Sequence, residues 1–209
     1  MRKRYKLLLI IVISFILVFF IYFKLKKNKF IYLSFASAQK SITYEYEDYV
    51  NDSLKNKNYM YYKYNNNVAN MDLLLIKLNN NDRNINYYIK NANFITFYIN
   101  TRELNNYKNL TEDIITDYLN NFKAILMHFN KLNNQPILVI NLYSKQKFAD
   151  INIKIKQIVD EMEFMYIDES FFQVNEYIQY NDELHLTYKG HNHLANYIIE
   201  YIKNNLDYH

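Results

Sequence analysis

The sequence predicts a three-layer α/β/α sandwich with a central parallel sheet, preceded by one transmembrane helix. Three observations predict it. Short β-rich apolar runs alternate with helical patterns along the chain, and that alternation is the signature of a parallel sheet covered by helices on both faces. A seventeen-residue apolar run lies near the amino terminus between two basic clusters. The stretch NDELHLTYKGHNHLANYI, residues 181–198, sets an aspartate and a histidine just ahead of a closing helical pattern and holds the single glycine of the 209 residues.

The elements follow in order. MRKRYK precedes LLLIIVISFILVFFIYF, residues 7–23, and KLKKNK follows it. At about 1.5 Å of rise per residue such a run sits at the short end of a bilayer-spanning helix, with lysines and arginines to reach the interfaces. A cleaved signal peptide is the rival reading, since Ala36, Ser37 and Ala38 spell an A-x-A site. That site ends fifteen residues past the apolar run and behind four lysines, where cleavage seldom occurs. The chain therefore divides into an anchor, residues 1–29, and one domain, residues 30–209. Four basic residues on each side of the span leave the charge bias neutral, and the short amino terminus makes a single-pass anchor with an extracytoplasmic domain the default.

Within the domain, FIYLSFAS (30–37), KNANFITFYIN (90–100), PILVINLYS (136–144) and EFMYID (163–168) read as strands. Helical spacing marks residues 44–56 through Tyr46, Tyr49, Val50 and Leu54, and also 71–78, 111–129, 149–162 and 191–206. The tyrosine-rich YMYYKY (59–64) reads as strand and core. Asparagine clusters read as turns, because Asn tolerates left-handed backbone best after Gly.

Charge narrows the partners. The full chain carries a net +4, yet eight of its 25 basic residues flank the anchor and no acid precedes Glu45. From residue 30 onward 17 basic residues face 21 acidic ones, a net −4, so a nucleic-acid partner loses its electrostatic basis. With no cysteine, disulfides and thiol catalysis are excluded. No cofactor and no metal are expected. His185, His191 and His193 invite a metal reading, but 191 and 193 fall on different sides of a helix.

Asp182 and His185 are three residues apart in the loop expected before the last helix. That spacing lets the carboxylate bond one imidazole nitrogen and leaves the other free as a general base. NDELHLTYKGHNHLA resembles the final motif block of the SGNH, or GDSL-type, hydrolases, where Asp-x-x-His precedes a glycine and an amphipathic helix. The resemblance runs from about residue 30 to the end of the chain and implies a flavodoxin-like α/β/α sandwich and serine-dependent ester hydrolysis. It places Ser37 at the nucleophile, with Phe35 and Ala36 where the family has Gly and Asp; Ser34 and Ser41 are the competing serines. YNNNVANMDLL resembles the second block and puts Asn67 at its oxyanion-hole glycine. ITFYINTREL resembles the third, with Asn100 for Gly, Arg102 for Asn and Glu103 for the acid. The implied catalytic set is Ser37, Asp182 and His185, with oxyanion donors from Ser37, Asn67 and Arg102, and Gly190 turning the chain into the last helix. The implied substrate is a small-molecule, lipid or cell-wall ester. Loss of the family's Gly and Asn favours a second class, a weakened or inactive relative that serves as a cell-surface binding module.

Overall fold

A computed structural model describes residues 13–15, 30–35, 45–55, 59–64, 71–99, 104, 107, 109–142, 148–172, 176–180 and 184–206; at 180, 184, 185 and 206 only the backbone is described. Five strands form one sheet: β1 (Phe30–Phe35), β2 (Tyr59–Lys63), β3 (Phe94–Tyr98), β4 (Ile137–Ile140) and β5 (Met165–Ile167). They run in the order β2-β1-β3-β4-β5, and every neighbouring pair is parallel. The four strand runs read as strands pair in one sheet, and the tyrosine run becomes its edge strand β2.

Around the sheet lie α1 (Tyr46–Leu54), α2 (Met71–Asn79), α3 (Arg83–Asn91), α4 (Glu112–Leu132), α5 (Ala149–Glu161) and α6 (Tyr188–Leu206). Period-two alternation divides the strand side chains between two cores. Leu33, Phe35, Ile95, Phe97, Ile137 and Val139 meet α2 to α5 on one face. Phe30, Tyr32, Phe94, Leu138 and Ile140 meet α1 and α6 on the other. Local chemistry starts the helices where the apolar stripes begin. Asp82 caps α3 by accepting the Asn84 and Ile85 N–H groups at 3.0 and 3.3 Å, and Thr111 caps α4 by accepting from Ile114 at 3.4 Å.

The helix α3 and a small antiparallel hairpin, β6 (Ile178–Tyr180) with β7 (Leu184–Leu186), are additions to the sequence reading. The hairpin corrects one expectation: His185 lies on strand β7, paired with Gln179, rather than in an open loop. The helix that follows begins at Tyr188, so Gly190 is its third residue. Gly190 does not have a positive φ. Its role is steric: an added Cβ would overlap the backbone oxygen of Tyr177 and lie 3.3 Å from Leu186 Cδ2. The glycine lets α6 seat directly on the hairpin.

Of the expected anchor, residues 13–15 are helical and exposed, and the rest lies outside the described residues. Among the described residues no helix is long and apolar enough to cross a membrane.

Candidate active site

The sheet order fixes where a site belongs. From β1 the chain crosses to β2 through α1 on one face, and from β2 it crosses to β3 through α2 and α3 on the other. The winding direction therefore reverses between β1 and β3, and in such sheets ligands bind outside the carboxyl ends of the strands at that switch point.

The expected site residues fall on segments that leave this edge. Ser37 comes two residues after β1 ends at Phe35, Asn67 four after β2 ends at Lys63, and Arg102 four after β3 ends at Tyr98. Asp182 separates β6 from β7. Ser37, Asn67, Arg102 and Asp182 lie outside the described residues, as does the side chain of His185.

Among the described residues, a buried polar cluster lies on the α1/α6 face. Ser34, on β1, is fully buried and donates its hydroxyl to Glu47 Oε1 at 3.2 Å, so it is not the exposed nucleophile. Glu47, on α1, is also fully buried. Its Oε2 has no hydrogen-bond partner among the described residues and faces the Lys63 ammonium at 3.8 Å, while Lys63 pairs with Glu45 at 2.5 Å. Burial pushes the Glu47 carboxyl up to about 7, outweighing the pull of Lys63 in the opposite direction. Beside it Tyr32 bonds Thr96 across the β1 and β3 strands at 2.9 Å.

His191 completes the cluster from α6. It is 4% exposed, and its Nδ1 accepts the Tyr46 backbone N–H at 3.1 Å. The two rings stack with centroids 6.3 Å apart and 10° between planes. His193, two residues on, stacks instead on Tyr177 at 4.6 Å and approaches Phe171 at 4.9 Å, so the two histidines serve different surroundings. A cavity of about 10 Å³ is lined by Glu47 and His191 together with Tyr98, at the end of β3, and Leu142, just past the end of β4. A second, open cleft of about 210 Å³ lies at the carboxyl ends of β4 and β5, lined by Asn141, Asn152, Lys156, Tyr166, Asp168 and Glu169. Its floor is a polar network, for Asn141 donates to Asn152 Oδ1 and Tyr166 OH, both at 3.1 Å.

The sequence reading missed Glu47 as a site neighbour although a signal was present. Glu47, Val50 and Leu54 fall at i, i+3 and i+7, on one stripe of α1, and an acid on an apolar stripe is a buried charge. His191 was read only as a metal candidate; nothing local marked its ring as an acceptor for a residue 145 positions away.

The chain matches no family model and no curated protein. Among solved structures it is similar to the lipase Lip_vut3 from a goat rumen metagenome, at 15% identity and a TM-score of 0.56, over 81% of this chain and 95% of that one. It is also similar to the acetyl xylan esterase AlAXEase, at 14% identity and a TM-score of 0.59, over 82% of this chain and 99% of that one. The chain thus has the α/β fold of a lipase and an esterase across nearly their whole lengths.

Proposed function

We propose that the chain is a membrane-anchored, serine-dependent ester hydrolase of the SGNH type, with residues 30–209 as an extracytoplasmic domain held by a helix over residues 7–23. Ser37 Oγ attacks the ester carbonyl, His185 takes the hydroxyl proton and returns it to the leaving alcohol, and Asp182 holds the imidazole in the required tautomer. Backbone N–H groups of Ser37 and Asn67, with the Arg102 side chain, stabilise the oxyanion. Water then cleaves the acyl-enzyme with His185 again as base. The observation that carries the reading is the strand order. With β1 between β2 and β3 in one parallel sheet, three motif segments leave the same edge of the sheet in succession, and the hairpin carrying His185 opens onto the helix that packs beside α1.

The substrate is an acyl or acetyl ester, and the polar cleft at β4 and β5 suits a hydroxyl-rich alcohol portion. The two fold neighbours support an ester as the class: one is a lipase and the other an acetyl xylan esterase.

A second reading has one observation in its favour. Phe35, where the family has Gly, is a core residue stacked on Phe129 at 4.8 Å, so this strand end is built for packing where the family keeps an open backbone. A weakened or inactive relative that binds a surface ligand is the alternative. A fluorophosphonate probe on the full chain separates the two. Hydrolase chemistry predicts labelling that vanishes in Ser37→Ala and falls steeply in His185→Ala; a wild-type chain that stays unlabelled favours the binding module.

A further inference from the structure

Two helices begin immediately after the segments that bear the proposed catalytic residues. The segment from β1 to α1 carries Ser37, and the hairpin that leads into α6 carries Asp182 and His185. The starts of these helices are joined by one hydrogen bond. Tyr46 is the first residue of α1, and its N–H is among the donors that a helix amino terminus leaves without an intrahelical acceptor. Such donors are ordinarily taken by a nearby capping side chain. Here the acceptor is His191 Nδ1, from the far end of the chain, at 3.1 Å.

That bond dictates the state of the ring. An imidazole nitrogen accepts only when it bears no hydrogen, so His191 is neutral with its proton on Nε2. A protonated ring would turn an N–H toward an N–H and set a positive charge at the positive end of the α1 dipole. The surroundings agree. Burial pushes the His191 ring down to about 4, with Asp48 pulling upward and Lys63 adding to the fall. The other titratable groups around it are Glu45 at the cap of α1, Tyr46 and Glu47 of α1, and Tyr98 of β3. Lys189, on its own helix, is paired with Glu176 at 2.6 Å. Gly190 places the ring: because its missing Cβ lets α6 press on the Tyr177 carbonyl, the next residue is set at a fixed height above the hairpin.

We propose that His191 is a positioning residue of the candidate site, whose neutral ring, by accepting the Tyr46 amide, ties the start of α1 to the first turn of α6, the two helices that follow in sequence the segments bearing Ser37 and His185. This rests on the ester-hydrolase reading. Removing the acceptor frees the two helix starts from each other without touching the substrate, so it is expected to lower kcat and leave KM alone.

The test uses the full chain in detergent micelles and two variants. His191→Asn keeps an acceptor oxygen close to the Nδ1 position and cannot titrate; His191→Leu keeps bulk and loses the acceptor. The Tyr46 amide is expected to be protected from hydrogen exchange in wild type and His191→Asn and to exchange roughly tenfold faster or more in His191→Leu. With p-nitrophenyl acetate, His191→Leu is expected to lose about 10- to 100-fold in kcat, the range for a small misplacement of reacting groups. KM is expected to stay within about twofold, and His191→Asn to recover most of kcat. An unprotected Tyr46 amide in wild type, an unchanged kcat in His191→Leu, or equal losses in both variants would overturn the proposal. If wild type neither hydrolyses the ester nor takes the fluorophosphonate, the hydrolase reading fails alone. The His185 ring resonances then decide positioning: a shift in His191→Leu but not in His191→Asn sustains it, and no shift in either ends it.

Discussion

The two faces of the sheet are built from different chemistry. Under α2 to α5 the strands present Leu33, Phe35, Ile95, Phe97, Ile137 and Val139 to helices contributing Leu74, Leu78, Ile85, Phe122, Leu126 and Phe129, and the contact is almost wholly apolar. Under α1 and α6 the same strands bury Ser34, Thr96 and the Tyr32 hydroxyl against Glu47 and His191. Buried polar groups weaken a core unless every one is paired, and here Glu47 Oε2 and His191 Nε2 have no hydrogen-bond partner among the described residues. The first face supplies stability. The second gives up some of it, and it is the face covered by α1 and α6, the helices that follow in sequence the segments bearing Ser37 and His185.

The largest effect expected from this contrast is on the apolar face. Phe129 is fully buried and packs against both Phe35 and Phe97, with ring centroids 4.8 and 5.6 Å away. Phe129→Ala removes a whole ring where the sheet and α4 meet, and a loss of about 3–5 kcal/mol is expected in urea unfolding, the range for large-to-small aromatic changes in a core. A loss under about 1 kcal/mol would mean that this face is not the stabilising one.

On the polar face the expected effect is smaller and depends on pH. Glu47 has a folded-state value near 7 against an ordinary 4.5, so between those values the folded chain holds a proton that the unfolded chain has released. Stability therefore falls as pH rises from about 4.5 to 7 and is level above that. Glu47→Gln keeps an acceptor for the Ser34 hydroxyl and carries no charge to desolvate. The variant is expected to gain on wild type by the order of 1–3 kcal/mol between pH 5 and pH 8, read as the difference in unfolding free energy at the two values. A gap that does not change with pH would place the Glu47 charge in contact with solvent.

Much of the apolar face was legible in the sequence, because period-two strands and helical stripes such as Ile151, Ile155 and Val159 express burial directly. The polar face was legible only in part. His185 and Asp182 are proposed from a motif alone, and the strand β7 that carries His185 is three residues long, too short for any periodicity. Gly190 was noticed because it is alone, yet its reason is a carbonyl thirteen residues upstream, a tertiary contact that composition does not record. The helix α3, RNINYYIKN, escapes a search for apolar runs because it is polar overall, although Ile85 and Ile89, four residues apart, set its two buried side chains on one sharp stripe.

The smallest expected effect lies in the turns of the apolar face, where the scarcity of glycine is answered residue by residue. Helix α2 closes with Asp82 N–H on Lys77 O and Asn81 N–H on Leu78 O, both at 3.1 Å, and Asn81 has φ 54. Helix α5 closes in the same way, with Phe164 N–H on Val159 O and Glu163 N–H on Asp160 O, both at 3.1 Å, and Glu163 has φ 58. Both are Schellman caps, whose left-handed position is usually a glycine. Asparagine tolerates that backbone, whereas glutamate meets the steric cost of a Cβ, about 1–2 kcal/mol. Glycine would remove that cost and add about 0.5–1 kcal/mol of chain entropy to the unfolded state. Glu163→Gly is therefore expected to stabilise by up to about 1 kcal/mol, and Asn81→Gly by less, as midpoint shifts in urea. A larger gain at Asn81 than at Glu163 would refute the ordering. A loss at both would show that these turns, and not only the packed rings beneath them, hold the apolar face together.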